Sequence, residues 1–143
     1  MLKSILMAID LNVENSGRRR ILEFGSNLGK LYGSELHVLT VFPNFGMSIV
    51  GSHFDKDFES KALAEIKVRL EDFVSQNTPA ECDVKSHVAH GSVYDEIIKA
   101  AKTLDCDGIV ISAHRPELKD YLLGPNAARV VRHANQSVFV LRD

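Results

Sequence analysis

Cysteine is nearly absent from the chain, and Cys82 and Cys106 are too far apart in sequence for a metal knuckle or a redox pair. A disulfide-framed scaffold is therefore excluded. Both residues are expected to stay reduced as small apolar side chains near strand starts, since a bond between them would need two strand starts side by side. No apolar run reaches the roughly 18 residues that would cross a bilayer. Met1 to Leu11 carries Lys3 and an apolar run, but Asp10 interrupts it and no small-residue cleavage site follows, so it reads as a first strand and not a signal peptide. A cytoplasmic protein without membrane contact is the expectation.

An excess of charge of either sign is missing as well. A net charge of −2 gives no general grip on nucleic acid, and a local basic cluster such as Arg18-Arg19-Arg20 lies in a helical stretch and reads as a solvated face. The chain has no Walker loop, no His-Glu-x-x-His, no nucleophile elbow and no clustered metal ligands. It has no internal repeat and no low-complexity segment. His87 and His90, three apart at the end of a strand, point to opposite faces in extended chain, so they read as hydrogen-bonded or solvated side chains and not as co-ligands. His133 follows Arg132 at a helix end, where a cation complements the dipole.

What remains is ordinary globular composition, 45% apolar and 25% charged over 143 residues, which fits one domain spanning 1–143 with a sizeable core. Ser4 to Ile9 is short and apolar. Ser16 opens a stretch with Ile21, Phe24, Leu28 and Leu31 at helical spacing, and Glu35 to Phe42 alternates as a second strand ending at Pro43. The segment from Pro43 to about Asp55 is long and apolar for a loop, with Phe45, Met47, Ile49, Val50 and Phe54, and reads as a flap or a docking surface. Phe58, Ala62, Ile66, Leu70 and Phe73 then mark the clearest amphipathic helix. Cys82 to Ala89 makes a third strand ended by Gly91, and Ser92 with Asp95 resembles a capping box opening a helix through Ile97, Ile98 and Ala101. Asp107 to Ser112 is almost wholly apolar and should be covered on both faces. A helix from Gly124 to about Ala134 and a strand from Ser137 to Leu141 complete the chain.

Five strands alternating with four helices predict an α/β fold: a doubly wound five-stranded parallel sheet, strand order 3-2-1-4-5, with helices on both faces. The topological switch then falls between the first and fourth strands. Asp10 ends one of these, and Ser112-Ala113-His114-Arg115 follows the other. The next helix begins after Gly124, where unpaired N–H groups and the helix dipole favour a phosphate.

These features together resemble the universal stress protein family over essentially the whole length. The resemblance rests on Ile5-Leu6-Met7-Ala8-Ile9-Asp10, Leu36-His37-Val38-Leu39-Thr40-Val41 and Gly91-Ser92. Its strongest part runs from Leu122-Leu123-Gly124 through Val130-Val131-Arg132-His133-Ala134 into Ser137-Val138-Phe139-Val140-Leu141-Arg142. Nucleotide-binding members carry Gly-x-x-Gly, a nine-residue spacer, then Gly followed by Ser or Thr. Here Ser112 and Arg115 replace the first glycines, the spacer is the shorter 116–123, and Pro125 follows Gly124. One branch of the family instead uses a Ser-His-Arg-Pro loop followed by Tyr-Leu-Leu-Gly-Ser-Asn-Ala-Ala. The present 112–128 segment is similar to it, and that branch is also associated with adenine nucleotides.

The resemblance implies ATP or AMP as ligand, with Mg accompanying ATP and no metal required otherwise. It implies ribose or adenine contact by Ala8, Ile9 and Asp10, and adenine acceptance by the Val41 backbone. It puts the phosphates near Ser112, His114, Arg115, Gly124, Pro125, Asn126 and Ala127. Asp10 could equally satisfy nearby backbone donors, Val41 could simply pack in the core, and Arg115 could form a surface ion pair. Proline supplies neither the hydroxyl nor the N–H of the family's Ser or Thr, though Asn126 and the N–H groups of Asn126 and Ala127 offer partial replacement.

The implied function is a stress-response nucleotide-binding module with weakened phosphate grip, not an enzyme. Two other classes stay open: a slow ATP hydrolase using His114 beside Asp10, and an interaction protein with a vestigial pocket. The resemblance also implies a homodimer paired through the strand at 137–142, whose Val138-Phe139-Val140-Leu141 would otherwise be an exposed apolar edge.

Overall fold

The structure is a computed structural model that describes residues 2–11, 15–43, 56–113 and 124–142. In chain order these form β1 (Ser4–Ala8), α1 (Asn15–Tyr32), β2 (Glu35–Pro43), α2 (Lys56–Asn77), β3 (Val84–Gly91), α3 (Val93–Thr103), β4 (Gly108–Ser112), α4 (Pro125–His133) and β5 (Ser137–Leu141). The strands build one sheet in the order β3-β2-β1-β4-β5, with every neighbouring pair parallel. The expected order and the switch between β1 and β4 are therefore borne out.

Side-chain alternation splits the core into two layers. Ile5, Met7, Leu36, Val38 and Val110 face α1 and α2, whereas Leu6, Leu39, Ile109 and Ile111 face α3 and α4. The central strands are apolar on both sides because helices cover both. In β4, Ile109 and Val110 are fully buried although they point to opposite faces.

α1 approaches β1 and β2 closely because Gly25 and Gly29 face them. A Cβ at Gly25 would fall 2.2 Å from Met7 Sδ, and one at Gly29 would fall 2.7 Å from Leu36 Cδ2. The helix ends at Gly33, whose φ of 67° permits Ser34 N–H to reach the Gly29 carbonyl at 2.9 Å. α3 closes in the same way with Asp105 at φ 52°, its N–H on Lys102 and that of Cys106 on Ala101.

Several sequence expectations change in detail. The third strand begins at Val84 and not at Cys82, because the Cys82 N–H turns back to the Pro79 carbonyl at 2.9 Å. Ser92 does cap α3, but its side chain makes no capping hydrogen bond, so the capping box with Asp95 does not form. α2 is a helix, yet its apolar stripe is buried only toward its C-terminal end. Leu70 and Val74 are in the core, whereas Phe58 is 52% exposed. The helix packs on β3, the outermost strand, so it has less sheet to cover than α1.

Arg18 is not part of a solvated face: its Nη1 donates to the Leu11 carbonyl at 2.7 Å and its guanidinium lies 4.7 Å from the Phe73 ring centroid. Arg20 donates to the Arg142 carbonyl at 2.7 Å. Cys82 and Cys106 are both free thiols, and β3 and β4 are separated by two strands. The expected flap at 44–55 lies outside the described residues.

Asp107 fastens the N-terminal end of the sheet. Its carboxylate accepts the N–H groups of Lys3 at 2.9 Å and Ser4 at 3.0 Å, while its own N–H donates to the Ser4 carbonyl. The Ser4 and Lys3 donors hold this carboxyl below its usual value. Asn retains one acceptor and presents an amide to the second donor, so Asp107→Asn should cost about 1 kcal/mol at neutral pH, discounted for partial exposure. A carboxylate whose folded pKa is depressed adds stability above its unfolded value, about 3.9, and loses it as the pH falls through the lower folded value. Chemical denaturation of both proteins across acid pH should therefore show the gap closing, and a gap independent of pH would contradict the role.

Candidate functional site

The chain elements that end at the switch point set the site. The β1 ladder pairs Ala8 with Leu39 and Met7 with Val110, and Ile9 N–H still reaches the Leu39 carbonyl at 2.9 Å. Continuing that register brings Asp10 level with Val41 on one side and Ile9 level with Ser112 on the other. Thus residues far apart in sequence converge on the C-terminal edge of the sheet. Asp10 is exposed there, Ile9 is buried toward α1, and Ala8 and Val41 are half-buried in the layer under α3 and α4.

Gly124 and α4 enter from the same side. Ala127 and Val130 are buried and share the apolar cluster of Ala8 and Val41. Gly124 is the N-cap with extended backbone, and Pro125 occupies the first turn. The first intrahelical bond runs from Ala128 N–H to the Gly124 carbonyl at 3.0 Å. The helix supplies no acceptor for the N–H groups of Asn126 and Ala127, the cap residue has no side chain, and Pro125 has no N–H to offer. With no acidic residue in its first turn and Arg132 and His133 in its last, α4 keeps its N-terminal end electropositive.

The loop after β1 is held from outside the site. Leu11 follows Asp10 directly, and its carbonyl is the acceptor of Arg18 Nη1, while Arg18 packs on Phe73 of α2. Sequence reading assigned Arg18 to solvent because its helical position resembles those of Arg19 and Arg20; only the return of α2 over α1 supplies the aromatic face. At the other wall, Ala113 N–H donates to the Leu141 carbonyl at 2.9 Å, which carries the β4 direction one residue past Ser112.

Of the expected site residues, Ala8, Ile9, Asp10, Val41 and Ser112 lie on the same strand edge, and Gly124, Pro125, Asn126 and Ala127 form the helix start on the α3/α4 side. His114 and Arg115 lie outside the described residues. His87 and His90 are hydrogen-bonded apart from each other: His90 Nδ1 sits 2.8 Å from Glu59 Oε1, and His87 Nε2 sits 2.9 Å from His37 Nδ1. Among the described residues no group of three or more His, Cys, Asp or Glu could hold a metal, and no helix is long and apolar enough to cross a membrane.

The model of the universal stress protein family matches residues 1–142. The chain belongs to that family. It is 33% identical over 146 residues to universal stress protein G of Salmonella typhimurium, a match covering 99% of this chain and 100% of the relative. It is also 39% identical over 111 residues to universal stress protein G of Shigella flexneri, covering 75% and 77% respectively. Among solved structures, the Methanocaldococcus jannaschii protein MJ0577 superposes with a TM-score of 0.80 at 24% identity, over 100% of this chain and 97% of that one. A universal stress protein from Archaeoglobus fulgidus in complex with dAMP gives a TM-score of 0.67 at 19% identity, with 97% of each chain covered. Another universal stress protein, in complex with cAMP, gives 0.68 at 14% identity over 99% and 97%. At these identities the solved structures speak for the fold.

Proposed function

We propose that this universal stress protein is an adenine-nucleotide-binding module whose grip on phosphate is reduced, and that it acts by binding and not by turnover. The observation that carries the reading is the convergence of Asp10, Val41 and Ser112 on the switch-point edge, beside a helix N-terminus bare of side-chain caps. Two relatives of this fold are complexes with dAMP and cAMP, which supports adenine as the base and a single phosphate as sufficient. In this reading Ala8 and Ile9 line the adenosine side, Asp10 meets the ribose, and the Val41 backbone meets the base. Ser112, His114 and Arg115 supply donors to the phosphates together with Gly124, Asn126 and Ala127. Magnesium enters only with ATP.

Pro125 sets the preference. Loss of its N–H and of a hydroxyl removes contacts worth roughly 1–3 kcal/mol to a charged phosphate, so ATP should bind about ten- to a hundredfold more weakly than in a site that keeps them. Titration calorimetry of stripped protein should therefore show AMP binding more tightly than ATP, and Asp10→Ala should weaken both; equal dissociation constants in the micromolar range or below would count against the role of Pro125. Absence of heat with every adenine nucleotide, together with no nucleotide released on denaturing fresh protein, would refute the binding reading. It would favour the vestigial-pocket alternative. Tight ATP binding with phosphate release abolished in His114→Ala would favour the hydrolase.

The proposal extends to a single cytoplasmic domain over 1–143 that pairs with a second copy through β5. Among the described residues that strand is bonded on one side only, to β4, and Val138 to Leu141 are half-buried. Sedimentation of the full-length chain as a monomer at micromolar concentration would remove the pairing.

A further inference from the structure

His37 lies in β2 with only 3% of its surface exposed, a titratable residue flanked in the strand by buried Leu36, Val38 and Leu39. Alternation turns it, with Leu39 and Val41, toward α3. The register pairs Leu39 with His87 and His37 with Lys85, so the His87 ring reaches diagonally across the β2–β3 pair. The rings are 5.1 Å apart between centroids, and His37 Nδ1 and His87 Nε2 are 2.9 Å apart. On its other side His37 Nε2 is 3.2 Å from Glu35 Oε1, within Coulomb range but without the alignment of a hydrogen bond, and the same carboxylate oxygen holds Lys85 Nζ at 2.6 Å. The carboxylate favours the proton on His37 Nε2, which leaves Nδ1 to accept from the His87 Nε2–H.

A hydrogen bond between two imidazoles needs one bare ring nitrogen. The pair can be neutral, or can share one added proton, but a second added proton puts N–H against N–H and two positive charges in contact. We propose that the His37–His87 pair is a mild-acid release for the edge strand: double protonation breaks the side-chain hydrogen bond that ties the middle of β3 to β2 and loosens β3.

The surroundings act in the same direction. Burial first, and then for His87 the neighbouring His37, Lys67 of α2 and Lys85, disfavour the charged rings, and both His residues are held below the ordinary imidazole value. Glu35 opposes this at His37, partly neutralised by Lys85. Asp83 acts on Lys85, and the Cys106 thiol, raised chiefly by burial, feels Glu35 but stays neutral in this pH range. α3 turns only apolar Ile97 and Ala101 toward the sheet as buried residues. Among the described residues β3 has β2 as its sole strand partner, so no described strand on its far side compensates. The sign follows from linkage: groups with depressed folded values confer stability above the ordinary value of about 6.5, and this is lost as the pH falls through the folded values.

Amide exchange, corrected for its intrinsic pH dependence, tests the release in full-length protein. Between pH 7 and pH 5 the opening of residues 84–88 should rise several-fold before the β1 amides change. In His87→Gln the amide can still donate to His37 but cannot charge, so double protonation is impossible and the rise should shrink to the part that buried His37 contributes alone. His90→Gln, altering the opposite face of β3, should keep it. An equal rise in wild type and His87→Gln overturns the proposal. If that variant does not fold, imidazole titration of the wild type by NMR decides: independent midpoints at the ordinary value for His37 and His87 overturn it, and depressed, mutually dependent midpoints support it. The test does not depend on whether the pocket holds a nucleotide.

Discussion

Pro125→Ser should tighten ATP binding by about ten- to a hundredfold while leaving adenosine binding within a factor of about two. Pro125 is the first residue of α4, exposed, with φ already suited to the helix, so it serves the fold well at that position. The cost falls on any anion in front of the helix, which meets the N–H groups of Asn126 and Ala127 but neither an N–H nor a hydroxyl at 125. Serine restores both and adds no bulk. A small loss of helix pre-organisation, up to about 1 kcal/mol, should lower the unfolding free energy without touching the ligand contrast. The comparison of ATP, AMP and adenosine in one calorimetric series isolates the phosphate contribution. Equal gains for adenosine and ATP would mean that the substitution reshaped the pocket, and no gain for ATP would mean that phosphates do not approach α4.

Gly25→Ala should destabilise the protein by about 1–3 kcal/mol, even though Ala is the better helix former by about 1 kcal/mol. The conflict is between helix propensity and space, and geometry decides it. The added Cβ would fall 2.2 Å from Sδ and 2.7 Å from Cγ of Met7, which is fully buried and cannot swing away into solvent. Gly17, in the same helix, has nothing within 4 Å of an added Cβ, so Gly17→Ala should be neutral or stabilising by up to about 1 kcal/mol. Met7→Ala alone should cost about 2–5 kcal/mol through the cavity it leaves. In the Gly25→Ala background it should cost measurably less, because the new methyl occupies part of that cavity. Urea denaturation of the four proteins closes the cycle, and additive effects would contradict direct contact between the two positions.

The strand order could be read from the sequence because each strand ends on a clear break and each crossover has a helical period. Parallel neighbours with right-handed crossovers leave few arrangements. The same argument located the switch point, so Asp10 and Ser112 could be assigned to one edge before any geometry was known. What escaped reading depends on contacts between distant segments. His37 looks like an interruption in an apolar strand, and only the diagonal from His87 gives it a partner. Asp107 was counted as the first residue of a strand, but it is a side-chain acceptor for the backbone of β1. Arg18 resembled its two basic neighbours until α2 folded back to place Phe73 beneath it. Helix periodicity overstated α2, because an apolar stripe records which face is inward but not how much sheet lies beneath it.

The central claim is that adenine nucleotide binds where β1, β2, β4 and the start of α4 meet, with the phosphate held weakly. A ¹H–¹⁵N correlation titration of the full-length, isotopically labelled protein with AMP and then with ATP tests it most directly. The account predicts saturable shifts centred on the amides of Ala8 to Asp10, Val41, Ser112, His114, Arg115, Gly124 and Asn126 to Ala128, reached at lower concentrations of AMP than of ATP. No saturable shift at millimolar nucleotide, or shifts centred on another face of the sheet, would contradict it.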